Sequence, residues 1–221
     1  VNRTHKVPFF IKLFFNIVSF SFKKKDKKEH QNTSDLASII QDLGTTFIKL
    51  GQFLATRPDI IGDELTKNLE KLQDTLPPFS KSIAENIIKK DLGKVTAKNI
   101  IEFSEPIAAA SIAQVHKAKI NEVNTIKDVA IKVLRPNIKE IFNSEIDAIM
   151  MLAYLVETFV PKTKRLRLIE VVFLFKEITN NEMDLRFEAA AANEYLENTK
   201  NDLGFSVPKI YWNFTSENVM T

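Results

Sequence analysis

The sequence VAIKVLRP, residues 129–136, lies at the end of the last of three successive β-strand patterns. These patterns cover residues 99–107, 112–120 and 127–134, and all are short and rich in β-branched residues. An alanine-rich loop separates the first two, and a polar turn at residues 121–125 separates the last two. Short connections favour antiparallel neighbours. Together with the helical patterns around it, this sheet predicts fold class α+β.

Lys132 ends the motif Val129-Ala130-Ile131-Lys132, which is the protein-kinase strand motif whose lysine holds the α- and β-phosphates of ATP. Four residues alone are a weak match, because an exposed strand lysine would look the same. The loop before the second strand strengthens it. Ala108, Ala110, Ala113 and Val115 occupy the four fixed positions of G-x-G-x-x-G-x-V, with alanine in place of each glycine.

The strand lysine and the loop together predict a site for nucleotide phosphates. Its predicted residues in the sheet are Lys132 and the loop residues Ala108, Ala109, Ala110, Ser111, Ala113 and Val115. Alanine tolerates positive φ poorly and adds a methyl group where the backbone would approach phosphate. We therefore expect a stiffer loop than in protein kinases, and phosphorylation of a protein substrate is less expected.

A kinase-like lobe also needs a helix glutamate that orients the lysine. Residues 168–198 are predicted to form a long helical segment, in which Asp184 and Glu188 share one face and Glu182 lies on another. An alternative interpretation is that these carboxylates are exposed and pair locally, for example with Arg186.

Helical patterns precede and follow the sheet. We expect a helix from Ser34 to about Thr56, a second after Asp63 that ends at Pro77-Pro78, and a third with a Ser82/Glu85 capping box that Gly93 closes. Further patterns predict helix from Pro136 to about Val160, and strands at residues 207–212 and 218–221. The predicted domains are residues 1–33, 34–95 and 96–221.

The amino-terminal segment Val7–Phe22 is apolar but is interrupted by Lys12 and Asn16, and it is shorter than the roughly 20 residues of a membrane-spanning helix. Five lysines follow it between residues 23 and 28. This arrangement predicts a helix lying on an anionic membrane surface. Two alternatives remain open, namely packing on the rest of a longer protein and the core of a signal peptide.

Composition excludes several other classes of function. The chain has no cysteine, which rules out disulfides and thiolate sites, and its three histidines lack metal-ligand spacing, so no metal site is predicted within the chain. A net charge of +3 is too small to predict nucleic acid as a partner.

The segment Lys49-Leu50-Gly51-Gln52, continuing through Arg57-Pro58-Asp59, resembles the KxGQ signature of the UbiB (ABC/ADCK-type) atypical kinase-like family. The alanine-rich loop, VAIKVLRP and Glu182-x-Asp184 follow in that family's order. The resemblance covers residues 36–221. It implies a kinase-like N-lobe extended by several amino-terminal helices, with the chain ending before the C-lobe.

The resemblance further implies bound ATP or ADP with Mg²⁺, membrane association and a role in ubiquinone biosynthesis with its proteins or lipid precursors. The place would be the cytoplasmic face of a bacterial inner membrane, or the mitochondrial inner membrane. By position, Lys49 and Gln52 belong to the KxGQ helix, Lys132 is the nucleotide lysine, Glu188 its partner, and Glu182 with Asp184 the ExD pair. Lys49 is then expected to meet Glu182 over the nucleotide cleft.

The chain begins at Val1 and ends within a predicted strand, so we expect a fragment whose catalytic loop and metal ligands lie downstream. Two Asp-Leu-Gly triplets, at Asp91 and Asp202, precede any hinge and are interpreted as helix-end or turn residues. The predicted parent protein is an atypical ATPase or small-molecule kinase. The alternative is a pseudokinase-like nucleotide-binding protein that regulates or scaffolds partners at a membrane.

Overall fold

The computed structural model describes residues 36–72, 76–202, 204 and 206–221. These residues form two compact units, one of residues 36–72 with 144–175 and the other of residues 76–143 with 176–221. Two of the three boundaries between the units fall inside helices, at residues 143/144 and 175/176. The predicted boundary at residue 95 stays a prediction, as does the amino-terminal membrane segment, which lies outside the described residues.

The first unit is helical. It contains α1 (Leu36–Leu43), α2 (Thr45–Ala55), the short α3 (Pro58–Ile61) and α4 (Asp63–Leu69). Its core consists of the buried residues Ile40, Ile60, Ile61, Leu69 and Leu72. Partly buried apolar residues of α2 and α4, including Phe47, Leu54 and Leu65, pack against this cluster.

The prediction of one continuous helix from Ser34 to about Thr56 was wrong. Gly44 separates α1 from α2 with φ 102° and ψ −174°, a backbone conformation open to glycine and costly for other residues. The predicted Ser34 cap lies outside the described residues.

The second unit is built on a four-stranded antiparallel sheet, which confirms the predicted fold class. Its strands are β1 (Ile100–Ala109), β2 (Ala113–Glu122), β3 (Thr125–Leu134) and β4 (Val219–Met220), in the order β1-β2-β3-β4. Helix α5 (Lys81–Ala97) covers one face, where Ala84 and Ile88 pack against Ile131, Val133 and Val219.

The remaining helices lie between β3 and β4 in the chain. They are α6 (Ile138–Phe159), a 3₁₀ helix (Pro161–Leu166), α7 (Leu168–Glu182), α8 (Leu185–Asn198) and a second 3₁₀ helix (Trp212–Phe214). Within the part of the chain that is described, no helix is both long and apolar enough to cross a membrane.

Four further expectations were wrong. Helix α4 ends at Leu69, so Pro77-Pro78 is not its end. Helix α5 begins after Ser80, so Ser82 is inside the helix and forms no capping box; its hydroxyl lies 3.1 Å from that of Ser80. The helix pattern of residues 168–198 is broken at Met183 and Asp184, and Asp184 caps α8 instead of sharing its face with Glu188. Residues 207–211 form no strand, because Tyr211 makes one backbone bond to Thr221 in place of a ladder.

A buried polar network joins β1, β2 and the start of α5. The Gln114 side chain accepts a hydrogen bond from the Phe79 amide (2.9 Å) and donates one to the Phe79 carbonyl (3.1 Å). Its amide nitrogen also lies 2.9 Å from Nε2 of His116, and Nδ1 of His116 lies 2.9 Å from the Ser104 carbonyl. The carbonyl can only accept, so the network fixes a neutral His116 with its proton on Nδ1.

Gly51 is expected to be required for close packing of α2. A Cβ at Gly51 would lie well inside van der Waals contact of Leu72 Cδ1. Gly51→Ala adds about 1 kcal/mol of helix propensity but introduces a clash of about 1–3 kcal/mol, so we expect lower stability in chemical denaturation. In a Leu72→Ala background the clash disappears, and the same substitution should stabilise. Stabilisation in both backgrounds would contradict the predicted contact.

The stability of the second unit should fall as pH decreases below about 6.5. Burial lowers the pKa of His116 below its ordinary value of 6.5, and the hydrogen bond to the Ser104 carbonyl partly offsets this shift. The charged groups near His116 are Glu105, Lys81 and Glu85. The unfolded chain then binds the proton first, so the unfolding free energy decreases by at most about 1.4 kcal/mol per pH unit until the folded pKa is passed. Denaturation between pH 7 and pH 5 measures this slope. His116→Gln should remove most of it, and an unchanged slope would contradict the prediction.

Candidate functional site

Lys132 lies in the centre of the sheet, paired with Val115 on β2 and Met220 on β4. Its neighbours Ile131 and Val133 are fully buried on the face that α5 covers. Because side chains alternate along a strand, Lys132 extends from the opposite face. The alternation of side chains along β3 therefore buries its apolar residues on one face and places Lys132 on the other.

Glu188 is the partner of Lys132. The Lys132 ammonium lies 2.8 Å and 2.6 Å from the two carboxylate oxygens of Glu188. The lysine side chain is 25% exposed and that of the glutamate 49%, so the pair is accessible to a ligand from solvent. The predicted pairing of these two residues is present in the structure.

The first turn of α8 positions Glu188. Asp184 caps this helix by accepting a bond from the Arg186 amide, and Leu185 and Ala189 are buried beneath it. The Leu185 amide donates to the Glu217 carbonyl at 2.9 Å, just ahead of β4. The helix start is thus fastened to the same sheet that carries Lys132.

The alanine-rich loop connects β1 to β2. Ala108 pairs with Val115, Ala109 pairs with Gln114, and the Ala110 amide donates to the Ala113 carbonyl at 2.8 Å. Ser111, Ile112 and Ala113 are buried at its tip. No residue from 108 to 115 has positive φ, so this loop conformation is fully available to alanine.

Lys132, Glu188 and five predicted loop residues line one cavity of about 700 Å³; the loop residues are Ala108, Ala109, Ala110, Ala113 and Val115. The predicted Ser111 is buried and does not line it. This volume is in the range of small-molecule and cofactor sites. Sequence patterns did not identify several of the lining residues, which come from the segment before the second 3₁₀ helix, from β3 and from the end of the chain: Asp128, Pro208, Lys209, Ile210, Tyr211, Met220 and Thr221. Lys209 lies 4.7 Å from the Tyr211 ring centroid and 3.6 Å from Glu122.

Asp184 pairs locally, as the alternative interpretation of the carboxylates predicted. Its two oxygens accept bonds of 2.9 Å and 2.7 Å from the Arg186 guanidinium. Arg186 holds the pKa of Asp184 below its ordinary value, since these bonds favour the charged carboxylate. Glu182 is the last residue of α7.

Lys49 and Gln52 lie on α2 in the first unit and are half-buried, while Gly51 between them is buried. Their proximity to Glu182, and their place over the cleft, stay predictions.

The aspartates of both Asp-Leu-Gly triplets form hydrogen bonds that hold the local structure. Oδ2 of Asp91 accepts bonds from Ser216 Oγ (2.9 Å), the Asn218 amide (3.2 Å) and Asn218 Nδ2 (2.9 Å), which fastens α5 to the turn before β4. The Asp202 amide bonds the Thr199 carbonyl in a turn. Among the described residues, no three His, Asp or Glu side chains are grouped to hold a metal ion.

A family model and several known proteins match this chain over most of its length. Residues 71–221 match the family model described as ABC1 atypical kinase-like domain. A Marinobacter nauticus protein called "Probable protein kinase UbiB" is 34% identical over 216 residues, which cover 97% of this chain and 39% of that protein. Proteins with the same name in Pseudomonas aeruginosa and Cellvibrio japonicus are 33% identical over 215 residues and 36% identical over 181 residues. These matches cover 97% and 81% of this chain, but 40% and 32% of those proteins. The chain thus spans about two fifths, or less, of the length of these relatives.

Proposed function

Because the chain belongs to the ABC1 atypical kinase-like family, which includes its UbiB relatives, we propose that its cleft binds ATP or ADP. The whole protein is then an atypical ATPase or small-molecule kinase that supports ubiquinone biosynthesis. The ion pair of Lys132 and Glu188 inside the cleft is the observation that carries this proposal.

The pair suits phosphate binding for electrostatic reasons. An unpaired lysine ammonium samples many rotamers, whereas a carboxylate on a fixed helix restricts it to one region of the cleft. An incoming diphosphate shares the ammonium with Glu188, so that the lysine contacts phosphate oxygens while keeping its orientation.

The residues around the pair fit a nucleotide. Val115, Ala130, Ile210 and Met220 give the cavity an apolar wall for a base, and Lys132 supplies the cation for the phosphates. Bound nucleotide supplies the phosphoryl group and Mg²⁺ neutralises its oxygens. Asp128 and Glu188 are the carboxylates among the described residues that line the cavity.

The alanine-rich loop favours hydrolysis or a small acceptor over a protein substrate. Its tip is buried and its backbone needs no positive φ. A loop of this kind has fewer accessible conformations than a glycine-rich loop, and it is less able to adapt to a bulky polypeptide.

The role in ubiquinone biosynthesis is supported by the resemblance through Lys49-Leu50-Gly51-Gln52 and by the UbiB name of the relatives. Membrane attachment is supported by the apolar run 7–22 and the lysines that follow it. The inner membrane, on its cytoplasmic side in a bacterium, is the expected location.

Lys132→Ala in the full-length protein should reduce ADP and ATP affinity by roughly 100-fold, because it removes a charged phosphate contact. Isothermal calorimetry measures this loss. Lys127→Ala is the matched control on the same strand, since Lys127 is exposed and lies outside the cavity lining. Both variants should unfold at nearly the wild-type temperature because exposed ion pairs contribute little stability. Equal ADP affinity in Lys132→Ala and wild type would overturn the nucleotide site, whereas binding without phosphoryl turnover would favour the pseudokinase-like alternative.

Deletion of residues 1–28 should abolish flotation of the full-length protein with liposomes that contain anionic lipid. The segment offers both apolar area and positive charge, so the intact protein should float better with anionic than with neutral liposomes, and less well at high salt. A variant with Lys23, Lys24, Lys25, Lys27 and Lys28 changed to glutamine separates the two contributions. Equal flotation with and without the segment would remove it as the anchor.

A further inference from the structure

We infer that Arg135 is a positioning residue that holds the alanine-rich loop where it can contact nucleotide phosphates. The inference rests on the proposed nucleotide function. Arg135 follows β3 directly, three residues after Lys132, but it is absent from the cavity lining. It therefore acts through the loop and does not itself bind the ligand.

Arg135 bonds the loop at two points. Its Nε and Nη2 donate to the Ala110 carbonyl at 3.1 Å and 2.8 Å, and its backbone amide donates to the Ile112 carbonyl at 2.8 Å. Ala110 itself lines the cavity. Both the side chain and the backbone amide of Arg135 thus hold the loop in place.

The same guanidinium bonds a second segment. Nη1 donates to the Pro77 carbonyl at 3.0 Å, Nη2 lies 3.3 Å from the Leu76 carbonyl, and the guanidinium carbon lies 5.9 Å from the Phe79 ring centroid. Phe79 is held in turn by both hydrogen bonds to the buried Gln114 side chain. Arg135 therefore ties the loop to a segment that is anchored independently on β2.

Only arginine has the donors for this arrangement. Its planar fork reaches three carbonyls with three different nitrogens, whereas lysine offers one nitrogen on a flexible chain. The positive charge also offsets the partial negative charge of the carbonyl of Ala110, a residue that lines the cavity. Both effects favour phosphate binding by a loop that is already in place.

A purely structural role for Arg135 makes a different prediction from a positioning role. If the arginine only stabilises the fold, its loss should weaken every ligand of the cleft equally. If it positions the loop, its loss should weaken ligands with phosphates and spare a nucleoside without them. The comparison of ADP with adenosine therefore separates the two roles.

The test uses the full-length protein with Arg135→Met and Arg135→Lys, and calorimetry with ADP and with adenosine. We expect both variants to lose roughly tenfold in ADP affinity and to keep adenosine affinity within about twofold. Lys119→Met is the control, because Lys119 pairs with Glu102 on the exposed surface of the sheet. Arg135→Lys keeps the charge and the stem, which provides a folded variant if Arg135→Met is unstable.

Equal losses for ADP and adenosine, or unchanged ADP affinity, would overturn the positioning role. If Lys132→Ala loses ADP affinity while Arg135→Lys binds ADP as tightly as wild type, the inference fails and the proposed function stands. If wild type binds no ADP, both are overturned. Hydrogen exchange gives a second readout, since the Ala110 amide should exchange faster in Arg135→Lys than in wild type while amides of β3 stay unchanged.

Discussion

The two-residue alternation of β3 is the constraint on which the second unit depends. Ile131 and Val133 pack against α5, and Lys132 between them extends into the cleft. A register shift of one residue would bury the ammonium in the apolar core and expose two β-branched side chains. The ten paired positions between β2 and β3 hold this register, and β2 brings the loop to the same end of the sheet. Burial and the placement of the charge are thus set by one strand.

The ion pair in the cleft has a positional role more than a stabilising one. Its members are partly exposed, and pairs of this kind contribute about 0–1 kcal/mol to stability. What they provide is a fixed direction for the lysine. The rigid support comes from elsewhere, through the buried Leu185 and Ala189 of α8 and through the bond from Leu185 to Glu217. The fold therefore stabilises the helix, and the helix orients the charge.

Sequence patterns predicted the sheet and its antiparallel order, because strand alternation is a local signal, whereas the pairing of Lys132 with Glu188 was expected from the family resemblance. They failed where a single residue interrupts a periodic pattern. Gly44 and Asp184 break helices whose apolar spacing continues across the break, and a capping aspartate resembles a helical one in sequence. The cavity residues 208–211 were predicted as strand because they have β propensity. The Tyr211 amide bonds the Thr221 carbonyl, and the Tyr211 carbonyl accepts bonds from the Phe214 amide and the Thr215 hydroxyl, so turn and tertiary contacts decide the conformation of this segment.

Arg135 escaped detection for a related reason, since its partners are backbone carbonyls that leave no trace in a sequence pattern. Its bonds clarify what replacement of glycine by alanine does in this loop. A glycine-rich loop gains its fit by moving over the ligand, whereas this loop has a buried tip, carbonyls already bound and no strained φ. Its conformational entropy is reduced before any ligand arrives. The loop is therefore ordered before a ligand binds, and a preordered wall of a cleft loses less conformational entropy on binding than a mobile one.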